Sequence, residues 1–182
     1  MKRTIILGVL LLIVPATTRA ETPLLPEDQW TDEAVVWLAR AMVSEADWSP
    51  IDHAAIAWTL KRQWESRYEK DPRWTFVDQV RAYCAGLRGE EIRTKRSEWV
   101  RTLALDGAEP EGWPDDVLWS NYAPLWRRTI DFVRAWGAGR VRDPCEGRAW
   151  HWGGTMDTPG RNMRPVDCGM TLNIFYTFHA MP

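Results

Sequence analysis

Between Thr31 and Glu45 the apolar residues return at the spacing of one helical face. Ala34, Leu38 and Ala41 form the stripe, and Glu45 is the next position in it. Thr31 stands at the start, and Asp32 and Glu33 fill the first turn, where the positive end of a helix favours acids. A second helix is predicted almost at once. Ser49 is placed as its N-cap, Pro50 at the first helical position and Asp52 at the capping-box position, after which Ile56, Leu60 and Trp64 repeat at four. Thr75 and Asp78 repeat this device ahead of Phe76, Val80 and Tyr83, which predicts a third, shorter helix ending near Gly86. The following charged and turn-rich stretch predicts only a short helix around Ser97 to Leu103. Pro124 is expected to open an amphipathic helix with Trp126, Ile130, Val133 and Trp136 facing inward and Gly137 as its stop. The period then changes from helix to strand. AWHWGG and TLNIFYTF read as short strands around a long loop containing Asp157, Pro159, Gly160 and Pro165. The expected fold class is α+β, mostly helical, with a small β element near the C-terminus.

Residues 1–20, MKRTIILGVLLLIVPATTRA, join a basic start to a short apolar core and a small-residue exit, the pattern of an export signal. The apolar core is too short to span a bilayer, so no stable membrane anchor is expected, and the periplasm or the outside medium is the expected destination. Residues 21–30 read as an extended lead-in and 31–182 as a single domain, expected to act as a monomer. Removing a segment with Lys2, Arg3, Arg19 and no acid leaves 20 basic against 25 acidic residues, a charge of −5. Such a surface offers nucleic acid no electrostatic footprint. Thirteen tryptophans are an unusual load. Most are expected in the core, with about one in four lining a site. Of the three cysteines, Cys145 and Cys168 are a plausible disulfide in an oxidising compartment, and Cys84 is expected to be a buried thiol.

Glu45 is the leading candidate for chemistry. The helix period turns it toward the interior, where burial and the negative end of the helix both favour the protonated form and so a general acid. The alternative is a flank glutamate paired with an arginine such as Arg40. Trp48 sits beside the corner between the first two helices, and Trp150, His151 and Trp152 form an aromatic strand in which the two tryptophans share one face and the histidine takes the other. Asn173 and Tyr176 are candidates for polar contacts to a sugar, and Asp157 or Asp167 for a second acid on the late loop. His53, His151 and His179 show no paired ligand spacing, so neither metal nor cofactor is expected.

The order of these pieces resembles the cell wall hydrolase family typified by the spore-cortex lytic enzyme SleB. LARAMVSEADWSP, IDHAAIAWTLKR, TFVDQVRAYCAG and WRRTIDFVRAWGAGRVRDPCEGRAWHW carry the resemblance, which runs from about Val35 to Trp152. The turn departs from the family's glycine-rich form by holding Cys145, Glu146 and Arg148, and residues 155–168 have no counterpart in it. The resemblance implies a lysozyme-like fold, peptidoglycan glycan strands as substrate, Glu45 as the catalytic acid and commonly a lytic transglycosylase product with an anhydro-muramyl end. Two rival readings remain open: a secreted, non-catalytic glycan-binding domain, and a hydrolytic muramidase or glucosaminidase.

Overall fold

The computed structural model describes residues 23–46, 49–84, 87, 99–113, 118–154 and 160–178. The expected export signal, Asp47, Trp48, Asp157 and His179 lie outside these. In chain order the elements are α1 (Asp32–Ala46), α2 (Pro50–Tyr68), α3 (Phe76–Tyr83), α4 (Trp119–Gly137), β1 (His151–Gly153), β2 (Met163–Val166) and β3 (Ile174–Phe178). The strands form one antiparallel sheet in the order β1-β3-β2, so the last strand is the central one. The α+β class is therefore as expected. No described helix is long and apolar enough to cross a membrane.

α1 is the hub, packing against α2, α3 and α4. Ala34, Leu38 and Ala41 are fully buried, and two alanines in that stripe let neighbouring elements approach closely. The Thr31 hydroxyl accepts the Ala34 amide at 3.2 Å, which caps the helix as its sequence predicts. Around α1 an aliphatic core is crossed by aromatic rings. The fully buried Trp136 ring meets Trp30 at 5.7 Å, Trp58 at 6.0 Å and Phe76 at 6.0 Å, joining the chain's start to α2, α3 and α4. Trp113 gathers Trp99, Trp119 and Tyr122 into a second cluster. Most of the described tryptophans are thus structural.

Several sequence expectations change here. Pro124 does not open α4; it lies inside a helix that begins five residues earlier at Trp119. The added turn is held from outside by aromatic contacts, since the Trp119 ring packs on Trp113 at 4.8 Å and its indole N–H donates to the Gly107 carbonyl at 3.3 Å. Nor is Gly137 the stop: it is the last helical residue, and the left-handed turn falls at Gly139, with φ 74°. Gly137 is needed for space, because a Cβ there would stand 2.1 Å from the Trp30 ring. The supposed long loop contains β2, with Pro165 inside it. β2 is an edge strand, where a missing N–H is tolerated. α3 ends at Tyr83 rather than near Gly86, with Cys84 buried at its C-cap. Of the short helix around 97–103, the described part is helical only at Trp99 and Val100. The described part of the lead-in, residues 23–30, is folded rather than extended. The Leu24 amide donates to the Gly137 carbonyl at 2.9 Å, Leu25 is buried, and the Gln29 side chain accepts the Phe76 amide at 3.0 Å.

Cys145 and Cys168 are joined, with their Cα atoms 4.4 Å apart, and tie the loop before β1 to the loop after β2. Replacement of Gly137 by alanine is expected to lower stability by about 2 kcal/mol, the range of an overpacked core. A urea midpoint that falls with an unchanged slope checks it, and an unchanged midpoint would show that Trp30 moves aside at no cost.

Candidate functional site

The corner between α1 and α2 is built around a buried acid. Asp52, in the first turn of α2, is completely inaccessible to solvent, and an ionised carboxylate in such a place needs donors on its oxygens. It has them from both ends of the sequence. The Ser49 hydroxyl donates at 2.6 Å, the Leu172 amide at 2.9 Å, the Asn173 amide at 2.9 Å and the Asn173 side-chain amide at 3.2 Å. Asp52 was expected only to complete a capping box. Half of that box is present, since Ser49 accepts the Asp52 amide at 3.4 Å, but the Ser49 amide turns to the Ala46 carbonyl. The Asp52 carboxylate is thereby released to hold the start of β3. In α3 the same device closes fully, with Asp78 accepting the Thr75 amide at 3.0 Å.

Asn173 connects this clamp to the candidate acid. Its side-chain nitrogen donates to the Glu45 main-chain carbonyl at 3.1 Å as well as to Asp52, satisfying one of the terminal carbonyls of α1. Asn173 is buried and its amide protons are engaged with the protein, so its place is in the scaffold of the corner. Glu45 itself is half-buried, one helical turn beyond the sealed Ala41 and two beyond Leu38. Across from it the Trp152 indole N–H donates to the Glu45 carboxylate at 3.3 Å. Arg40, the expected rival partner, uses its guanidinium on the Leu103 carbonyl at 2.9 and 2.7 Å and covers the Trp37 ring. Burial pushes that guanidinium below its usual range.

Strand register sorts the other candidates. Trp152 pairs with Phe175, and His151 with Tyr176, so Trp152 points to the face opposite His151 and Tyr176. Trp152 is the strand residue that reaches Glu45. His151 is exposed, and Tyr176 is buried in the central strand, away from the acid's side of the sheet. Trp150 is half-buried and is fixed by its backbone, its amide donating to the Tyr176 carbonyl at 2.7 Å. Asp167 acts as a turn former, accepting the Gly169 amide at 2.9 Å. His53 is buried with its ring 5.8 Å from Phe132, and among the described residues no three potential metal ligands converge. The structure therefore brings together Glu45, Trp152, Asn173 and Asp52. The last of these was visible in the sequence only as a cap.

Compared with known proteins, the chain matches no protein-family model, no curated protein and no solved structure at significant similarity.

The two sides of the Asp52 clamp make separable contributions. Ser49→Ala is expected to cost about 1 kcal/mol, the value of one N-cap. Asp52→Ala is expected to cost about 3 kcal/mol or more, because the two backbone amides at Leu172 and Asn173 lose their acceptor. Urea unfolding of both variants measures this, and equal losses would reduce Asp52 to a cap alone.

Proposed function

We propose that this chain is an exported enzyme that cleaves peptidoglycan glycan strands, with Glu45 as both general acid and general base. The fold is then of the lysozyme-like kind implied by the family resemblance. The supporting observation is the half-buried Glu45 carboxylate at the negative end of α1, with the Trp152 indole N–H 3.3 Å from one oxygen. Glu45 must carry its proton when the sugar linkage arrives; partial burial and the helix end act in that direction, against the Trp152 N–H, which favours the carboxylate. Protonation of the glycosidic oxygen leaves a carboxylate behind, and the Trp152 N–H stabilises the charge that forms. The scissile bond then breaks as positive charge develops at the anomeric carbon.

The same carboxylate can next accept the proton of the sugar's own 6-hydroxyl while that oxygen closes onto the anomeric carbon, giving an anhydro end. A hydrolase ordinarily needs a second carboxylate about 5 to 9 Å away, as nucleophile or water activator. Asp52, the acid joined to Glu45 through Asn173, is sealed from solvent with both oxygens accepting hydrogen bonds. Asp52 is therefore unavailable for that task, whereas the transglycosylase route needs only the one acid. Cys145–Cys168 suits an oxidising compartment and thus fits export.

Glu45→Gln is expected to reduce fragment release from purified peptidoglycan by about 10²- to 10⁴-fold, the usual contribution of general acid–base catalysis. Mass spectrometry of the fragments should find anhydro ends, lighter by one water than the reducing ends of hydrolysis. Native-rate release by the variant would remove Glu45 from the mechanism, and glycan binding without release by the native chain would leave only a binding domain. Trp152→Phe is expected to lower kcat by about tenfold with little change in KM, because the lost donor acts on charge that forms in the transition state.

A further inference from the structure

Gln63, Ser66 and Arg67 of α2, with Lys70 just beyond its end, follow the i, i+3, i+4, i+7 spacing of one helix face. That spacing ordinarily marks an apolar stripe packed on the core. Here it is polar and cationic, and it borders a groove of about 610 Å³ whose other walls include Tyr83, Trp150 and the His151 and Phe178 side of the sheet. The volume is in the range of ligand sites.

The walls are fixed by hydrogen bonds across three elements. The Trp74 indole N–H donates to the Gln79 side-chain oxygen at 3.0 Å, the Gln79 amide donates to Gln63 at 2.9 Å, and the Gln63 amide donates to the Trp150 carbonyl at 2.5 Å. Gln79 is fully buried, so this relay locks α2, α3 and the start of β1 together. Arg67 is held in turn by two rings, 4.4 Å from the Trp74 centroid and 5.6 Å from that of Tyr83. Stacking orders the guanidinium without using its N–H groups, and among the described residues no acceptor takes them, which leaves a planar fork for a carboxylate. Among the described residues no carboxylate lines the groove. Of the acids nearby in sequence, Glu65 is paired with Lys61 and Asp71 with Arg73, and Glu69 is exposed outside the lining. The described lining thus carries positive charge, from Arg67 and Lys70, in a chain whose net charge is −2.

We propose that this groove binds a carboxylate-bearing peptide, the kind of stem attached to the lactyl groups of peptidoglycan glycan. Arg67 grips a carboxylate through its fork, Lys70 supplies a second positive charge, and Trp150 and Tyr83 offer flat surfaces to the peptide's aliphatic parts. The assignment rests on the reading of the substrate above, and it makes the stem peptide a determinant of which glycan strands are retained.

Isothermal titration of the full chain with a soluble stem tetrapeptide, free of sugar, tests the site separately from glycan cleavage. Binding is expected with the free-acid peptide, and a loss of about tenfold in affinity with the fully amidated peptide, with Arg67→Gln and with Lys70→Gln. Circular dichroism establishes that both variants are folded. No heat with the free-acid peptide at millimolar concentration overturns the proposal, as does native affinity in both variants. Displacement by inorganic phosphate at equal concentration also overturns it, because the groove would then be a general anion site. Peptide binding by a chain that releases no glycan fragments supports the groove while removing the cleavage reading. Cleavage without peptide binding does the reverse.

Discussion

An ionised carboxylate with no access to water must be answered by hydrogen-bond donors, and Asp52 takes all of them but the Ser49 hydroxyl from Leu172 and Asn173, 120 and 121 positions away. That requirement organises the molecule. Leu172 and Asn173 have to sit against the first turn of α2, so the central strand starts there, and β1 and β2 are positioned by pairing with it. Asn173 spans the remaining gap and closes an open carbonyl at the end of α1. The α1–α2 corner and the sheet are thus joined by a few short polar contacts in an otherwise apolar interior, where each is strengthened by the low dielectric around it.

Glu45 and Asp52 stand seven residues apart and are put to opposite uses by their surroundings. Asp52 is sealed and saturated with donors, which makes it structural. Glu45 lies where α1 emerges from the core, with its main-chain carbonyl fixed by Asn173 and its carboxylate facing the Trp152 indole. A carboxylate held by its backbone but partly open at its side chain is what the proposed exchange of a proton with a substrate would use. The clamp at Asp52 and the reactivity assigned to Glu45 are therefore linked through one asparagine amide.

The large aromatic content also divides by task. Rings such as Trp136 and Trp113 fill the interior and fix how helices meet, to the point that Gly137 must lack a side chain to admit Trp30. Others, Trp74 and Tyr83 among them, lie near the surface and order a charged group that would otherwise be mobile. The buried amide relay through Gln79 and Gln63 holds the second set in place. It shares with the Asp52 clamp the use of a buried polar group to lock separate elements.

The elements whose cause is local were legible in the chain. Thr31, Ser49 and Thr75 cap their helices because a hydroxyl reaches an amide three residues on, and the stripe of Ala34, Leu38 and Ala41 is buried because its period matches a helix. The position of Glu45 at the end of that stripe followed from the same arithmetic. The start of α4, the strand containing Pro165 and the function of Gly137 depended instead on partners distant in sequence: Trp113 and Gly107 for the first, the free edge of the sheet for the second and the Trp30 ring for the third. The same division holds at the candidate site. Sequence by itself determined where α1, α2 and α3 are capped, which face of α1 is apolar and that an acid ends it, since these are set by neighbours within a turn or two. Only the tertiary structure decided that Asp52 turns from its cap to the end of the chain, that Trp152 rather than His151 meets Glu45, and that Asn173 braces the corner. Each of those outcomes is a choice among competing donors and acceptors, settled by which of them the packing brings within bonding distance.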